Sequence, residues 1–111
     1  MYTNLKVWEA SMSLAEEIYS LTVDFPADEK FGLVSQLKRS AISVPSNIAE
    51  GKGRNSDKEF KQFLYIARGS LFELRTQLEL ARRLGFVDNN KKIKNRIVEV
   101  QRMLNTLLNR L

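Results

Sequence analysis

Lys61, Arg68, Arg75 and Arg82 recur every seven residues, a spacing that sets four cations nearly on one line of a helix. Arg54 and Lys58 extend that line toward its start, and Arg83 stands beside its end. Tyr65 and Phe72 lie next to it. A row of cations can neutralise successive phosphates, and neighbouring rings offer stacking faces to unpaired bases. Arg54, Lys58, Lys61, Arg68, Arg75 and Arg82 therefore form a candidate nucleic-acid surface. Lys91, Lys92, Lys94 and Arg96 add a second basic cluster. The same seven-residue spacing also suits the charged flank of a coiled coil, with Glu79 pairing to Arg82 or Arg83.

A second constellation mixes polar residues into an apolar segment. Gln36, Arg39, Ser43, Asn47 and Glu50 recur at steps of three and four, so they share one side of a helix. Ser43 or Asn47 could satisfy backbone groups freed by Pro45, and Arg39 could pair with a carboxylate across a helix contact. As catalytic machinery the segment is thin, because Glu50 has no paired acid, base or metal partner. Gly51-Lys52-Gly53 is no phosphate loop, since it lacks a preceding strand and the G-x-x-x-x-G-K-S/T spacing. Gln36, Arg39, Ser43, Pro45, Asn47 and Glu50 thus read as a structural or interface motif.

The chain has no Cys and no His. Disulfides, thiolate catalysis and Cys-based metal sites go with the first, and imidazole bases and His-ligated metals with the second. No acidic cluster has ligand spacing, so neither metal nor cofactor is expected, and the expectation is a binding module, not an enzyme. Met1-Tyr2-Thr3-Asn4-Leu5-Lys6 lacks a basic start followed by an apolar stretch, so no signal peptide is expected. The longest apolar run, Phe63 to Ala67, is far below the roughly 20 residues that span a bilayer. A soluble cytoplasmic protein without a membrane partner is the expectation.

Four segments of helical period must position these side chains, within one domain over residues 1–111. The first, over 5–24, carries one stripe of Val7, Leu14, Ile18, Leu21 and Phe25. Leu5, Trp8, Met12, Ala15 and Tyr19 make a second, displaced stripe, a wider apolar face than one bundle seam needs. Trp8, Met12 and Tyr19 are accordingly expected at an oligomer interface. Pro26 ends this helix. The second, over 29–51, reads Val34, Leu37, Ala41, Val44, Ile48 with Pro45 inside it, which predicts a kink near Ala41–Pro45.

The third, over 57–84, opens on the capping box Ser56-Asp57-Lys58-Glu59. Its stripe is Phe60, Phe63, Leu64, Ala67, Leu71, Leu74, Leu78 and Ala81, with Gly85 placed as its C-terminal cap. The fourth, over 90–111, aligns Ile93, Ile97, Val100, Leu104, Leu107 and Leu111. Short connections predict an all-α, antiparallel up-down-up-down four-helix bundle.

Charge is unevenly placed along these helices. Net charge is +5, yet residues 1–30 hold two bases against six acids and the remainder sixteen bases against seven acids. Such asymmetry suits a polyanionic partner or electrostatic pairing between subunits.

The segment containing Gly32-Leu33, Gln36-Leu37, Arg39, Ser43-Val44-Pro45, Asn47-Ile48-Ala49-Glu50-Gly51 and Arg54 resembles a known signature, that of four-helix-bundle proteins encoded within intervening sequences of bacterial 23S rRNA genes. The resemblance extends to Val7-Trp8, the Phe25-Pro26 break, the Phe60, Phe63 and Leu64 start of the third helix, and Gly85. It implies a bundle of the kind described above that assembles as a homo-oligomeric ring, typically a pentamer. A similar bundle is the accessory protein of diversity-generating retroelements, a basic pentameric barrel that binds nucleic acid and a reverse transcriptase. The resemblance therefore implies three kinds of partner: further copies of the chain, RNA or DNA, and a reverse transcriptase or another protein. The leading expectation is a homo-oligomeric bundle that binds nucleic acid, most naturally RNA. The competing one is a protein–protein scaffold whose basic row pairs with the acidic first helix of a neighbouring subunit.

Overall fold

In the computed structural model, which describes residues 5–111, the periodic segments form four α-helices, and no strand occurs among the described residues. They are α1 (Lys6–Thr22), α2 (Leu33–Lys52), α3 (Asp57–Arg83) and α4 (Lys91–Arg110). Residues 1–4, part of the stretch read as lacking a signal peptide, lie outside the described residues.

Helix boundaries follow from local chemistry. Expected from residue 29, α2 instead begins at Leu33, because Ala27–Glu29 close a short 3-10 turn behind Pro26 and Gly32 leaves helical geometry at φ −104°, ψ −109°. The Glu29 carboxylate accepts from the Leu33 N–H at 3.3 Å and so satisfies one free donor of the new helix. At the start of α3, Ser56 Oγ accepts from the Glu59 N–H at 3.2 Å, while the Glu59 carboxylate meets the Ser56 hydroxyl instead of its backbone amide. Asn90 caps α4 through Ile93 N–H at 3.0 Å. Gly85 takes φ +81° after α3, and the Phe86 N–H turns back to Ala81 C=O at 2.9 Å, an ending that only glycine adopts without strain.

One apolar core joins the helices. Leu14 and Ile18 of α1, Leu37, Val44 and Ile48 of α2, Leu64, Leu71 and Leu74 of α3, and Val100 and Leu104 of α4 are fully enclosed. Each such side chain contributes about 1.5–3 kcal/mol through removal from water. On α4 the buried stripe turns from the expected Leu107 to Leu108, with Leu107 half-buried. Phe25 from the α1–α2 connection and Phe86 from the α3–α4 connection meet with ring centroids 5.7 Å apart, closing one end of the core.

Helix α1 packs on α2 and α4, α3 packs on α2 and α4, and the backbones of the diagonal pairs do not come close among the described residues. The seams are unequal. Contact is most extensive between α2 and α3 and sparsest between α3 and α4. Gly51 explains the first, since a Cβ there would stand 2.6 Å from Phe63 Cβ and 3.0 Å from Phe60 Cδ1. Ser40 Oγ reaches Gln77 Oε1 at 2.8 Å, and the Ser43 and Ser70 hydroxyls meet at 2.8 Å, adding polar ties across the same seam. Pro45 is buried inside α2, which carries through it.

Candidate nucleic-acid interface

The basic row of α3 lies along the seam with α4. Contact between the two helices is the sparsest in the bundle, and Arg68 and Arg75 bridge it. Opposite them α4 presents Lys94, Val98, Gln101 and Asn105 at steps of four, three and four.

Two arginines reach across the seam to amides. Arg68 Nη1 donates to Asn105 Oδ1 at 3.0 Å, and Arg75 Nη1 donates to Gln101 Oε1 at 2.9 Å. Each guanidinium also lies over the ring three residues before it, Arg68 over Tyr65 at 4.9 Å and Arg75 over Phe72 at 5.9 Å from the centroid. These partners orient the cations and carry no charge to cancel them. Gln101 and Asn105 were not singled out from the sequence, where nothing distinguishes an amide facing a cation from one facing water.

The other row members differ. Arg82 donates from Nε and Nη2 to Glu79 at 2.9 and 2.8 Å, and Arg83 Nε donates to the same carboxylate at 3.0 Å. Hydrogen bonds from Arg82 and then Arg83 hold the Glu79 carboxyl down at about 2, and Arg82 is raised in return. Arg54 lies 3.6 Å from Glu50 and over the Phe63 ring. Lys58 is exposed and Lys61 half-buried, and neither forms an ion pair among the described residues. The row thus divides into free cations (Lys58, Lys61), cations held by neutral amides (Arg68, Arg75) and cations paired to carboxylates (Arg54, Arg82).

The basic cluster of α4 divides as well. Arg96 Nε and Lys92 Nζ turn toward α1, to Glu17 at 2.9 and 3.7 Å, with Arg96 Nη1 also on Glu99 at 3.2 Å. The hydrogen bonds that Arg96 donates to Glu17 and then to Glu99 raise its pKa. Part of the opposed charge in the sequence is therefore spent inside the bundle. Lys94 faces the other way and bonds Asn89.

Below the row, toward the end of α3, the seam opens into a cleft of about 920 Å³. Leu21, Phe72, Leu80, Ile93, Ile97 and Val98 give it an apolar lining, and Arg75, Arg82, Arg83 and Lys94 stand among its walls with Glu79 and Asp88.

The polar motif of α2 serves packing where it is buried. Asn47 Nδ2 donates to Ser43 C=O at 2.8 Å and lies 2.9 Å from Ser43 Oγ. The carbonyl deprived by Pro45 belongs to Ala41, four residues back, so the side-chain repair expected at the proline goes to Ser43 instead. Gln36, Arg39 and Glu50 are exposed, and Arg39 meets no carboxylate among the described residues. Of the expected interface residues, Trp8 is half-buried, whereas Met12 and Tyr19 are 37% and 43% exposed. Lys38 Nζ lies 4.7 Å above the Tyr19 ring. Among the described residues no group of three or more acidic side chains is placed to hold a metal ion, and no helix is long and apolar enough to cross a membrane.

Comparison with solved structures matches 98% of this chain to 99% of a Bacteroides thetaiotaomicron protein of unknown function from the S23 ribosomal protein family, at 27% identity and TM-score 0.86. Comparison with the curated proteins gives no match. The family model described as 23S rRNA-intervening sequence protein matches residues 3–106, which covers all four helices apart from the last turn. With that match over nearly its whole length, the chain belongs to the family of 23S rRNA-intervening sequence proteins.

Proposed function

We propose that the protein is a non-enzymatic, homo-oligomeric cytoplasmic bundle that binds nucleic acid, RNA foremost, through the α3 face of the α3–α4 seam. The observation that carries the reading is the pairing of Arg68 and Arg75 with the neutral amides of Asn105 and Gln101. Guanidiniums held by carboxylates have already met their counter-charge. These two are oriented and keep theirs, with Tyr65 and Phe72 beside them for stacking. Lys58 and Lys61 continue the field toward the start of α3, and Arg54 and Arg82 join it once their carboxylates yield.

The assembly in this reading is a pentameric ring, the state that the family resemblance implies. Its protomer is the up-down-up-down bundle, bent at Pro45. Two observations support that order of helices. Ser40–Gln77 and Ser43–Ser70 pair in reverse sequence order, and the α1–α2 and α3–α4 connections meet through Phe25 and Phe86. A reverse transcriptase or another protein fits as a partner on the same grounds of resemblance.

Fluorescence anisotropy with labelled RNA and DNA tests the reading. Four phosphates neutralised by Lys58, Lys61, Arg68 and Arg75 give a slope of log affinity against log salt of about −3.6 on a duplex and about −2.8 on a single strand. Absence of binding to every nucleic acid at low salt overturns it.

A further inference from the structure

Two surfaces of the bundle leave apolar side chains exposed, and they complement each other, although Lys38 lies over the Tyr19 ring within the second. The first is the cleft between the end of α3 and the start of α4, where Leu80 and Val98 remain 48% and 40% exposed. The second is the outward face of α1, with Met12, Tyr19 and Val23 exposed and Glu9 and Glu16 beside them.

Charge and size agree. The cleft walls carry Arg75, Arg82, Arg83 and Lys94 against Glu79 and Asp88, so they are cationic on balance. Glu79 is already shared by Arg82 and Arg83, which leaves the pair with an unanswered charge. The α1 face offers Glu9 and Glu16, whereas Glu17, its inward neighbour, is taken by Arg96 and Lys92. Met12 to Val23 spans eleven helical steps and so does Phe72 to Arg83, about 16 Å in each case. A groove between two helices with an apolar lining and charged rims is the shape that receives a third, amphipathic helix.

We infer that the α3–α4 cleft of one protomer receives the outward face of α1 from a second copy of the chain. Helices α1 and α3 are a diagonal pair without close backbone approach among the described residues, and of α1 only Leu21 borders the cleft, so a copy cannot lay the outward face of α1 in its own cleft. The contact is then head-to-tail, each copy using one face to give and the other to receive, and it propagates until a ring closes. Leu80, Val98, Met12 and Tyr19 leave water on assembly, which explains why a bundle with a sound core leaves them outside it. The inference rests on the homo-oligomeric reading above and assigns its mating faces. It gives Arg83 to the neighbouring subunit and leaves Lys58, Lys61, Arg68 and Arg75 for nucleic acid.

The test uses two variants with substitutions at exposed positions and a light-scattering measurement of mass. The cleft variant carries Leu80→Glu and Arg83→Glu; the α1 variant carries Met12→Lys and Glu16→Lys. Each alone is expected at the mass of one chain, with helical circular dichroism unchanged. Mixed in equal amounts they are expected to stop at two chains, since one intact cleft and one intact α1 face remain. Wild type larger than a dimer, with both variants monomeric, supports the inference. A wild-type oligomer that persists in either variant overturns the assigned faces and leaves the homo-oligomeric reading standing. Monomeric wild type overturns both.

Discussion

The Arg68 guanidinium donates to the Asn105 side-chain oxygen across the α3–α4 seam at 3.0 Å, an acceptor that fixes its position and leaves its charge intact. Substitution there separates geometry from charge. Asn105→Asp keeps the acceptor and adds a counter-charge, so nucleic-acid affinity is expected to fall about tenfold while thermal stability holds or rises slightly. Anisotropy beside a thermal melt checks both. Undiminished affinity in Asn105→Asp moves the binding site away from Arg68.

Removing the two amide-held cations should change the salt dependence as well as the affinity. Arg68→Gln with Arg75→Gln is expected to flatten the slope of log affinity against log salt by about 1.4 to 1.8, two phosphate contacts' worth. The fold should survive, because both side chains lie at the surface of a seam that is already loose. A parallel loss of affinity at every salt concentration, with unchanged slope, would instead mark a non-ionic contribution.

Gly51 is expected to tolerate no side chain. Gly51→Ala sets a methyl 2.6 Å from Phe63 Cβ, and α2 and α3 must part to admit it. A loss of about 1–3 kcal/mol is expected by urea denaturation. Gly51→Val should lose more. An unchanged midpoint for Gly51→Ala would mean the two helices slide apart at no cost.

Leu71, enclosed at the centre of α3, gives the reference for a core deletion. Leu71→Ala should lose about 2–5 kcal/mol in the same denaturation experiment, without altering the salt slope of binding.

Acid should release the Glu79 cluster late. The carboxyl titrates at about 2 when folded, below its ordinary 4.5, so its contribution to stability is present above about 4.5 and disappears as pH falls toward 2. Glu79→Gln removes that contribution, and its stability relative to wild type should be lowest near neutral pH and converge with it near pH 2. Denaturation midpoints across that range check the convergence. Equal stability of the two at neutral pH would show that solvent already screens the cluster.

The helices were legible because each carries its own punctuation. Ser56, Gly85 and Asn90 act within a turn of where they stand, so local sequence determines them. The α1–α2 connection was less so, since a 3-10 turn at Ala27–Glu29 and a non-helical Gly32 hold α2 back to Leu33 without a marker as plain as a capping box. The shift from Leu107 to Leu108 has a different origin. Both flank the apolar stripe, and the packing rotation of the whole helix chooses between them. The basic row itself was visible as a repeat of seven. Its division into amide-held and carboxylate-paired members was not, because Arg68–Asn105 and Arg75–Gln101 are pairs separated by 37 and 26 positions. Arg39 shows the converse, a residue in a suggestive polar register that finds no carboxylate once the helices are in place.

The unequal seams give the bundle a hard half and a soft half. Helices α2 and α3, joined by a four-residue connection and locked through Gly51, Ser40 and Ser43, form the tighter hairpin of the two. Helix α4 meets that hairpin across arginines and amides, so it can loosen on that side without exposing much apolar surface. Amide protons of α2 and α3 should therefore exchange with deuterium more slowly than those on the seam side of α4, and occupation of the seam by a ligand should slow the latter most.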